Sequence, residues 1–121
     1  MTRVLIVDDE HLFAQALELI LASDDRIEVV GRARSGAEAI SLARQLDPDV
    51  VLMDLSMPGL DGFEAIAAIV AGRASCRVVV LSGSADPDDM ERAQQAGATS
   101  YLTKERIADD LVPRVLAAAA A

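Results

Sequence analysis

Short apolar runs alternate along the chain with longer stretches in which apolar residues recur at helical spacing. The runs are strand candidates, and they extend from Arg3 to Val7, Ile27 to Arg32, Val50 to Met53, Arg77 to Leu81 and Thr99 to Leu102. The stretches between them predict helices, with apolar positions at Leu12, Ala16, Leu19 and Ile20, then Ala37, Ile40, Ala43 and Leu46, then Phe63, Ile66 and Ile69. This alternation predicts an α/β fold of the (βα)5 type with a parallel sheet.

Helix start and stop signals agree with this alternation. Ser35, Asp61 and Asp86 are of the residue types that cap helices, and Pro87 suits a first helical position. Gly97 suits the end of the fourth helix, where a left-handed residue is common.

Pro113 is used to place the last helix. A proline inside a helix costs about 3 kcal/mol, because it removes a donor and clashes with an earlier carbonyl, whereas the first turn tolerates it. We therefore predict that this helix starts near Asp109, that Asp109 or Asp110 caps it, and that Leu111 to Ala120 form its body.

The composition limits what the chain can be. Its 121 residues suffice for one domain with a core and are too few for two typical ones, so we expect one domain over residues 1–121. The net charge of −9 opposes attraction to a phosphate backbone, so direct nucleic-acid binding is not expected. Cys76 is the only cysteine, and neither a signal-peptide pattern nor a membrane-spanning apolar stretch occurs, so we expect a soluble cytoplasmic protein with no membrane contact.

Three acidic residues follow two of the strand candidates. Asp8 and Asp9 come directly after the first strand, and Asp54 ends the third. The carboxyl ends of parallel strands share one edge of the sheet, so these acids meet if the strands are neighbours. Two carboxylates about 4 Å apart repel by roughly 4 kcal/mol at an effective dielectric near 20, which folding alone does not favour. A divalent cation would explain the cluster.

Polar residues also follow the fourth and fifth strands, where Ser82 and Lys104 stand. With these residues in place, the whole chain resembles the receiver domains of two-component response regulators. The resemblance rests on Asp8-Asp9, on Met53-Asp54-Leu55-Ser56-Met57-Pro58-Gly59-Leu60-Asp61-Gly62, on Ser82 and on Tyr101-Leu102-Thr103-Lys104. Each motif alone is weak, but together and each after its own strand they are very specific. The resemblance implies a flavodoxin-like, doubly wound sheet in the order 2-1-3-4-5.

The resemblance also implies roles for the residues at this edge. Asp54 is then the phosphoryl acceptor, a carboxylate nucleophile. Mg²⁺ is the implied cofactor, with side-chain oxygens from Asp9 and Asp54, Asp8 acting largely through water and Ser56 offering its backbone carbonyl. Lys104 and Ser82 pair with the phosphoryl oxygens.

Signalling follows from the same resemblance. The implied donor is the phosphohistidine of a sensor histidine kinase or a small phosphodonor. Ser82 is the implied switch hydroxyl and Tyr101 the aromatic residue that follows it inward. The face formed by the fourth helix, fifth strand and fifth helix would then meet an effector domain, a downstream protein or a second copy of the chain. Ser56 and Ser84 would tune slow self-dephosphorylation.

Other readings of these residues stay open at this point. Asp8 and Asp9 could cap the first helix, Ser82 could belong to a turn, and Lys104 could be a surface lysine. A Mg²⁺-dependent hydrolase of the haloacid dehalogenase type would use a D-x-D pattern after the first strand, which this chain lacks. A third alternative is a pseudo-receiver that binds partners without phosphorylation.

The chain also departs from the family pattern. Glu105 follows Lys104 where the family usually has a proline, so we predict a trans peptide bond there. Within the family, Val30-Gly31, Ser35-Gly36-Ala37-Glu38-Ala39 and Asp54-Leu55-Ser56-Met57-Pro58-Gly59 are most similar to receivers attached to LuxR-type effectors of the NarL/FixJ kind. Either the chain is a stand-alone receiver or it is a receiver cut after its last helix.

Overall fold

Five strands and five helices alternate along the chain in a computed structural model that describes residues 1–56, 62–73 and 75–121. The strands β1 to β5 are Thr2–Val7, Ile27–Ala33, Val50–Asp54, Arg77–Ser82 and Ser100–Thr103. The helices α1 to α5 are His11–Ala22, Gly36–Leu46, Gly62–Gly72, Pro87–Ala96 and Ile107–Ala120, and a 3₁₀ turn, Lys104–Arg106, precedes α5. The (βα)5 prediction is confirmed.

All five strands pair in parallel, in the order β2-β1-β3-β4-β5. The chain leaves β1 for β2 on one side and returns to β3 on the other, so the strand order reverses between β1 and β3. At such a switch point a crevice opens outside the carboxyl ends of the two strands. The register pairs Val7 with Met53, which brings Asp8 and Asp54 to the same level of this edge.

Both faces of the sheet are buried, because successive strand residues point to opposite sides. One cluster, packed against α1 and α5, contains the strand residues Val4, Ile6, Val50, Leu52, Val79, Leu81 and Leu102. The other, packed against α2, α3 and α4, contains Leu5, Val7, Val51, Met53, Val78 and Val80. Each fully buried aliphatic side chain contributes about 1.5 to 3 kcal/mol by leaving water, so two apolar layers hold the strand ends in a fixed frame.

The caps predicted for α2 and α4 are present. Ser35 accepts a hydrogen bond from the N–H of Glu38 at 3.1 Å, and Asp86 accepts one from Asp88 at 2.9 Å, with Pro87 in the first helical position. Gly97 ends α4 with a φ of 113°, a conformation that L side chains rarely adopt. The proposed cap at Asp61 lies outside the described residues.

The predicted start of the last helix is wrong. α5 begins at Ile107 with no side-chain cap, and Pro113 lies in its interior. Ile107 and Leu111 stand four residues apart and are both buried against the sheet. The free energy gained by burying this face of the helix outweighs the free energy lost with the backbone hydrogen bond that Pro113 removes. Asp109, predicted as a cap, lies in the first turn, where its charge interacts favourably with the helix dipole.

The first helix is present as predicted, but the spacing that indicated it does not mark its inner face. Leu12 and Leu19 are 74% and 69% exposed. The buried residues of α1 are Ala14, Leu17 and Leu21. Among the residues described, none of the helices combines the length and apolar character needed to cross a membrane.

Candidate functional site

Asp8, Asp9 and Asp54 meet at the switch point, as the sequence predicts. Each offers a carboxylate oxygen, and these oxygens all lie within 4.8 Å of one another. Asp8 and Asp54 are only 3% and 2% exposed, while Asp9 is open to solvent. The reading of Asp8 as a helix cap receives little support, because the N-cap residue of α1 is Glu10 and has no side-chain cap hydrogen bond. The cluster is therefore a half-open acidic pocket.

Asp8 has the least favourable environment of the three acids for a charged carboxylate. Its Oδ1 accepts a hydrogen bond from the N–H of Glu10 at 2.8 Å, but its buried Oδ2 has no hydrogen-bond partner among the described residues. Burial, together with the negative charge of Asp54, raises the pKa of Asp8 to about 6. A buried oxygen left without a partner is costly, and a hard cation that takes oxygen ligands would satisfy it. The donor set fits a divalent metal ion.

Asp54 has a partner on each carboxylate oxygen. The backbone N–H of Ser56 donates to Oδ1 at 2.8 Å, and the ammonium of Lys104 donates to Oδ2 at 3.1 Å. Lys104 reaches Asp54 from the 3₁₀ turn that follows β5, and its side chain is 27% exposed. The structure thus brings the predicted acceptor and the predicted lysine into direct contact. The Lys104-Glu105 peptide bond is trans, as expected.

The hydroxyl groups of this edge are connected through Ser84. The Oγ of Ser82, at the buried end of β4, accepts a hydrogen bond from the N–H of Ser84 at 3.0 Å. The hydroxyl of Tyr101 donates to the carbonyl oxygen of Ser84 at 2.8 Å. Ser82 and Tyr101, the two predicted switch residues, therefore contact the same loop residue, one through its N–H and the other through its carbonyl oxygen.

One residue at this edge was missed in the sequence. The ring of Phe13, on α1, lies beneath Lys104, with 4.7 Å between its centroid and the Lys104 Nζ. The available signal was its position four residues after Asp9, which places it in the first turn of the helix that starts at the acidic edge.

His11 and Cys76 take no part in the contacts that join Asp54, Lys104, Ser82 and Tyr101 to this edge. His11 is the exposed first residue of α1, with its Nδ1 3.4 Å from a guanidinium nitrogen of Arg32. Cys76 is buried just before β4, at the opposite edge of the sheet, and burial raises the pKa of its thiol to about 11. The thiolate is the reactive form of cysteine, so Cys76 is structural. Residues 57–61, part of the quoted acceptor motif, lie outside the described residues.

Residues 4–116 match the family model described as "Response regulator receiver domain". The chain belongs to this family, and its strand order and acidic pocket are those expected of a phospho-accepting response regulator. As a receiver domain it is not a classical enzyme, which sets the hydrolase alternative aside.

The proteins to which the chain is similar include regulators of the LuxR/NarL kind. The chain is 39% identical over 118 residues to the transcriptional regulatory protein LiaR of Bacillus subtilis, covering 98% of this chain and 56% of LiaR. It thus spans little more than half of that curated relative. A two-component response regulator of the LuxR family from Aurantimonas superposes with a TM-score of 0.94 at 30% identity, covering 99% of this chain and 86% of that one.

The fold is also that of the CheY in a complex of CheX, CheY, BeF3 and Mg²⁺ from Borrelia burgdorferi. The TM-score is 0.87 at 24% identity, with 96% of this chain and 87% of that chain covered. At this identity the likeness shows the fold alone.

Proposed function

We propose that Asp54 accepts a phosphoryl group from the phosphohistidine of a sensor histidine kinase, or from a small phosphodonor, and that this modification switches an output surface. The observation that carries the proposal is the contact of Asp54 with Lys104 inside an acidic pocket, where a buried oxygen of Asp8 has no hydrogen-bond partner among the described residues. A carboxylate nucleophile, a cation site and a fixed ammonium group are the parts that phosphoryl transfer needs, because its catalysis is mainly positioning and charge stabilisation.

Mg²⁺ is the proposed ion, because it prefers oxygen ligands and is commonly held by one or two carboxylates together with phosphate. Asp9 and Asp54 would contribute side-chain oxygens, Asp8 would act largely through water, and Ser56 would offer its backbone carbonyl. When bound, the ion offsets the repulsion among the acids and the charge that develops on the transferring group.

In the proposed step, a carboxylate oxygen of Asp54 forms a bond to phosphorus as the bond to the donor breaks. With acetyl phosphate the leaving group is acetate, and with phosphohistidine it is the imidazole. Lys104, which donates a hydrogen bond to Asp54 before the reaction, would then donate hydrogen bonds to the phosphoryl oxygens. Ser82 lies at the neighbouring strand end, and its hydroxyl would donate a hydrogen bond to the same phosphoryl group.

Phosphorylation adds about 1.5 to 2 negative charges and three acceptor oxygens, which can draw Ser82 and Lys104 into a new arrangement. Tyr101 would follow, because its hydroxyl is bonded to the loop that also contacts Ser82. The new contacts shift the equilibrium between two conformations only by their difference in free energy. The proposed readout is the surface of α4, β5 and α5, which would meet an effector domain, a downstream protein or a second copy of the chain.

Two further proposals concern the context of the site. We propose that residues 1–121 form a single receiver domain. We also propose that it acts in the cytoplasm, where a kinase phosphodonor would be available.

The proposal is tested by incubating the chain with acetyl phosphate, with and without Mg²⁺, and measuring its intact mass over time. We expect one phosphoryl group per chain, only with Mg²⁺, and its loss in mild base but not in acid. Release of free phosphate over many turnovers without a modified protein would contradict the proposal and favour a hydrolase. No modification at all would favour a pseudo-receiver.

A further inference from the structure

Lys104 has a second neighbour besides Asp54. Its Nζ lies 4.7 Å from the centroid of the Phe13 ring and 3.1 Å from Asp54 Oδ2. A cation within about 6 Å of an aromatic ring face is attracted by the negative face of the ring. The ammonium therefore lies between a carboxylate and an aromatic ring that belong to different elements.

We propose that Phe13 is a positioning residue that holds the Lys104 ammonium at the phosphoryl site. This inference rests on the proposed function of Asp54. The ring does not touch the reacting atoms, and it acts only through the lysine.

The lysine needs such support. Its side chain is a flexible stem carrying a compact charge, and it starts from a 3₁₀ turn rather than from a strand or an α-helix. The Asp54 carboxylate changes its charge when it is phosphorylated, so it cannot hold the ammonium in the same way before and after the reaction. The ring remains uncharged throughout. The ring carries no lone-pair acceptor, so it competes only weakly with Asp54 and with phosphoryl oxygens for the N–H donors of Lys104.

The ring itself is held by other residues. Phe13 is half-buried and packs against the apolar cluster between α1, α5 and the sheet. Its position therefore does not depend on Lys104. The same packing gives a purely structural alternative, in which Phe13 fills space and Lys104 passes over it by coincidence.

Three variants separate the two roles. Phe13→Tyr keeps the aromatic ring, Phe13→Leu keeps an apolar side chain without the ring, and Leu12→Ala changes an exposed neighbour on the same helix. The measured quantity is the initial rate of modification by acetyl phosphate in saturating Mg²⁺. We expect Phe13→Leu to lower this rate about three- to tenfold, and Phe13→Tyr and Leu12→Ala to leave it within about twofold of the wild type. Equal rates for Phe13→Leu and wild type would overturn the proposal.

A double-mutant cycle tests whether Phe13 acts through Lys104. In a Lys104→Ala background, Phe13→Leu should produce no further loss of rate. The same additional loss as in the wild-type background would show that Phe13 acts by packing alone and would overturn the proposal.

The contact can also be measured without any variant. In the wild-type chain, NMR should show the Lys104 ε-methylene protons displaced upfield by the Phe13 ring, and Phe13→Leu should abolish that displacement. Ordinary lysine shifts in the folded wild type would overturn the contact even if Phe13→Leu fails to fold. A wild-type chain that shows the displaced protons but takes up no phosphoryl group would instead contradict the proposed function.

Discussion

Acidic residues lie at both ends of the strands, but their surroundings differ. The strands begin at what we call the amino edge of the sheet and end at its carboxyl edge. At the amino edge, the Asp49 carboxylate accepts a hydrogen bond from the backbone N–H of Arg3 at 2.8 Å, and Asp47 forms a salt bridge with Arg73. Both acids are exposed to solvent. Each thus has a cationic or hydrogen-bonding partner at the surface.

At the carboxyl edge the acids face one another instead. Asp8 and Asp54 are buried, and the pKa of Asp8 is raised to about 6 because its charge is poorly solvated and close to another carboxylate. The only cation described in contact with these acids is Lys104. Acids at the amino edge therefore support the fold, whereas the buried Asp8 carboxylate at the carboxyl edge opposes it. That difference marks the carboxyl edge as the functional one.

The largest expected effect is the response of stability to Mg²⁺. An ion that binds only the native state adds about 2.7 kcal/mol to the free energy of unfolding at about a hundred times its Kd. We expect the melting temperature to rise accordingly, and Asp9→Ala to remove most of the gain. Asp25→Ala, which changes an exposed acid away from the pocket, should respond like the wild type. An unchanged response in Asp9→Ala would refute the ligand assignment.

A somewhat smaller effect concerns Asp8 in the metal-free chain. Its pKa is 3.8 in the unfolded state and about 6 in the folded state, so the folded state binds the proton more tightly. The stability that Asp8 provides is fully present below its unfolded pKa and is lost as the pH rises through about 6. Asp8→Asn cannot ionise. We therefore expect the free energy of unfolding of Asp8→Asn to exceed that of the wild type by about 1 to 3 kcal/mol at about pH 8 and to match it near pH 4. Urea denaturation in the presence of a chelator measures this difference. An equal difference at both pH values would contradict this assignment.

The smallest effect is expected at the amino edge, where Asp49→Asn makes the same chemical change. Asparagine keeps a neutral acceptor for the Arg3 N–H, so the free energy of unfolding should fall by only about 0.5 kcal/mol. This variant also controls for the net charge of −9, because it removes one negative charge as Asp8→Asn does. A rise in stability comparable to that of Asp8→Asn would show that relief of general repulsion explains both variants.

Much of the fold followed from the sequence because strand runs, caps and turns are local signals. Helix boundaries depend on contacts within a few residues. The N-caps Ser35 and Asp86 and the C-cap Gly97 lie where predicted. Asp54 and Lys104 were expected near each other because each follows a strand of one parallel sheet, and strand ends share an edge.

The remaining features depended on tertiary packing. α1 is apolar on almost every side, so spacing could not determine that Leu17 faces the core while Leu12 and Leu19 face solvent. The predicted start of α5 was wrong because the burial of Ile107 determines where the helix begins. The cost of a proline inside the helix, at Pro113, does not. The contact between Phe13 and Lys104 joins residues far apart in sequence, so the position of Phe13 shortly after Asp9 could place it at this edge but could not show that it meets Lys104.

The most direct test of the account is the identity of the residue that takes up phosphate. Asp54→Asn and the matched exposed variant Asp25→Asn should be compared with the wild type in acetyl phosphate and Mg²⁺, with modification followed by intact mass. We expect Asp25→Asn to gain one phosphoryl group at the wild-type rate and Asp54→Asn to gain none. Modification of Asp54→Asn at the wild-type rate would contradict the assignment of Asp54 as the acceptor.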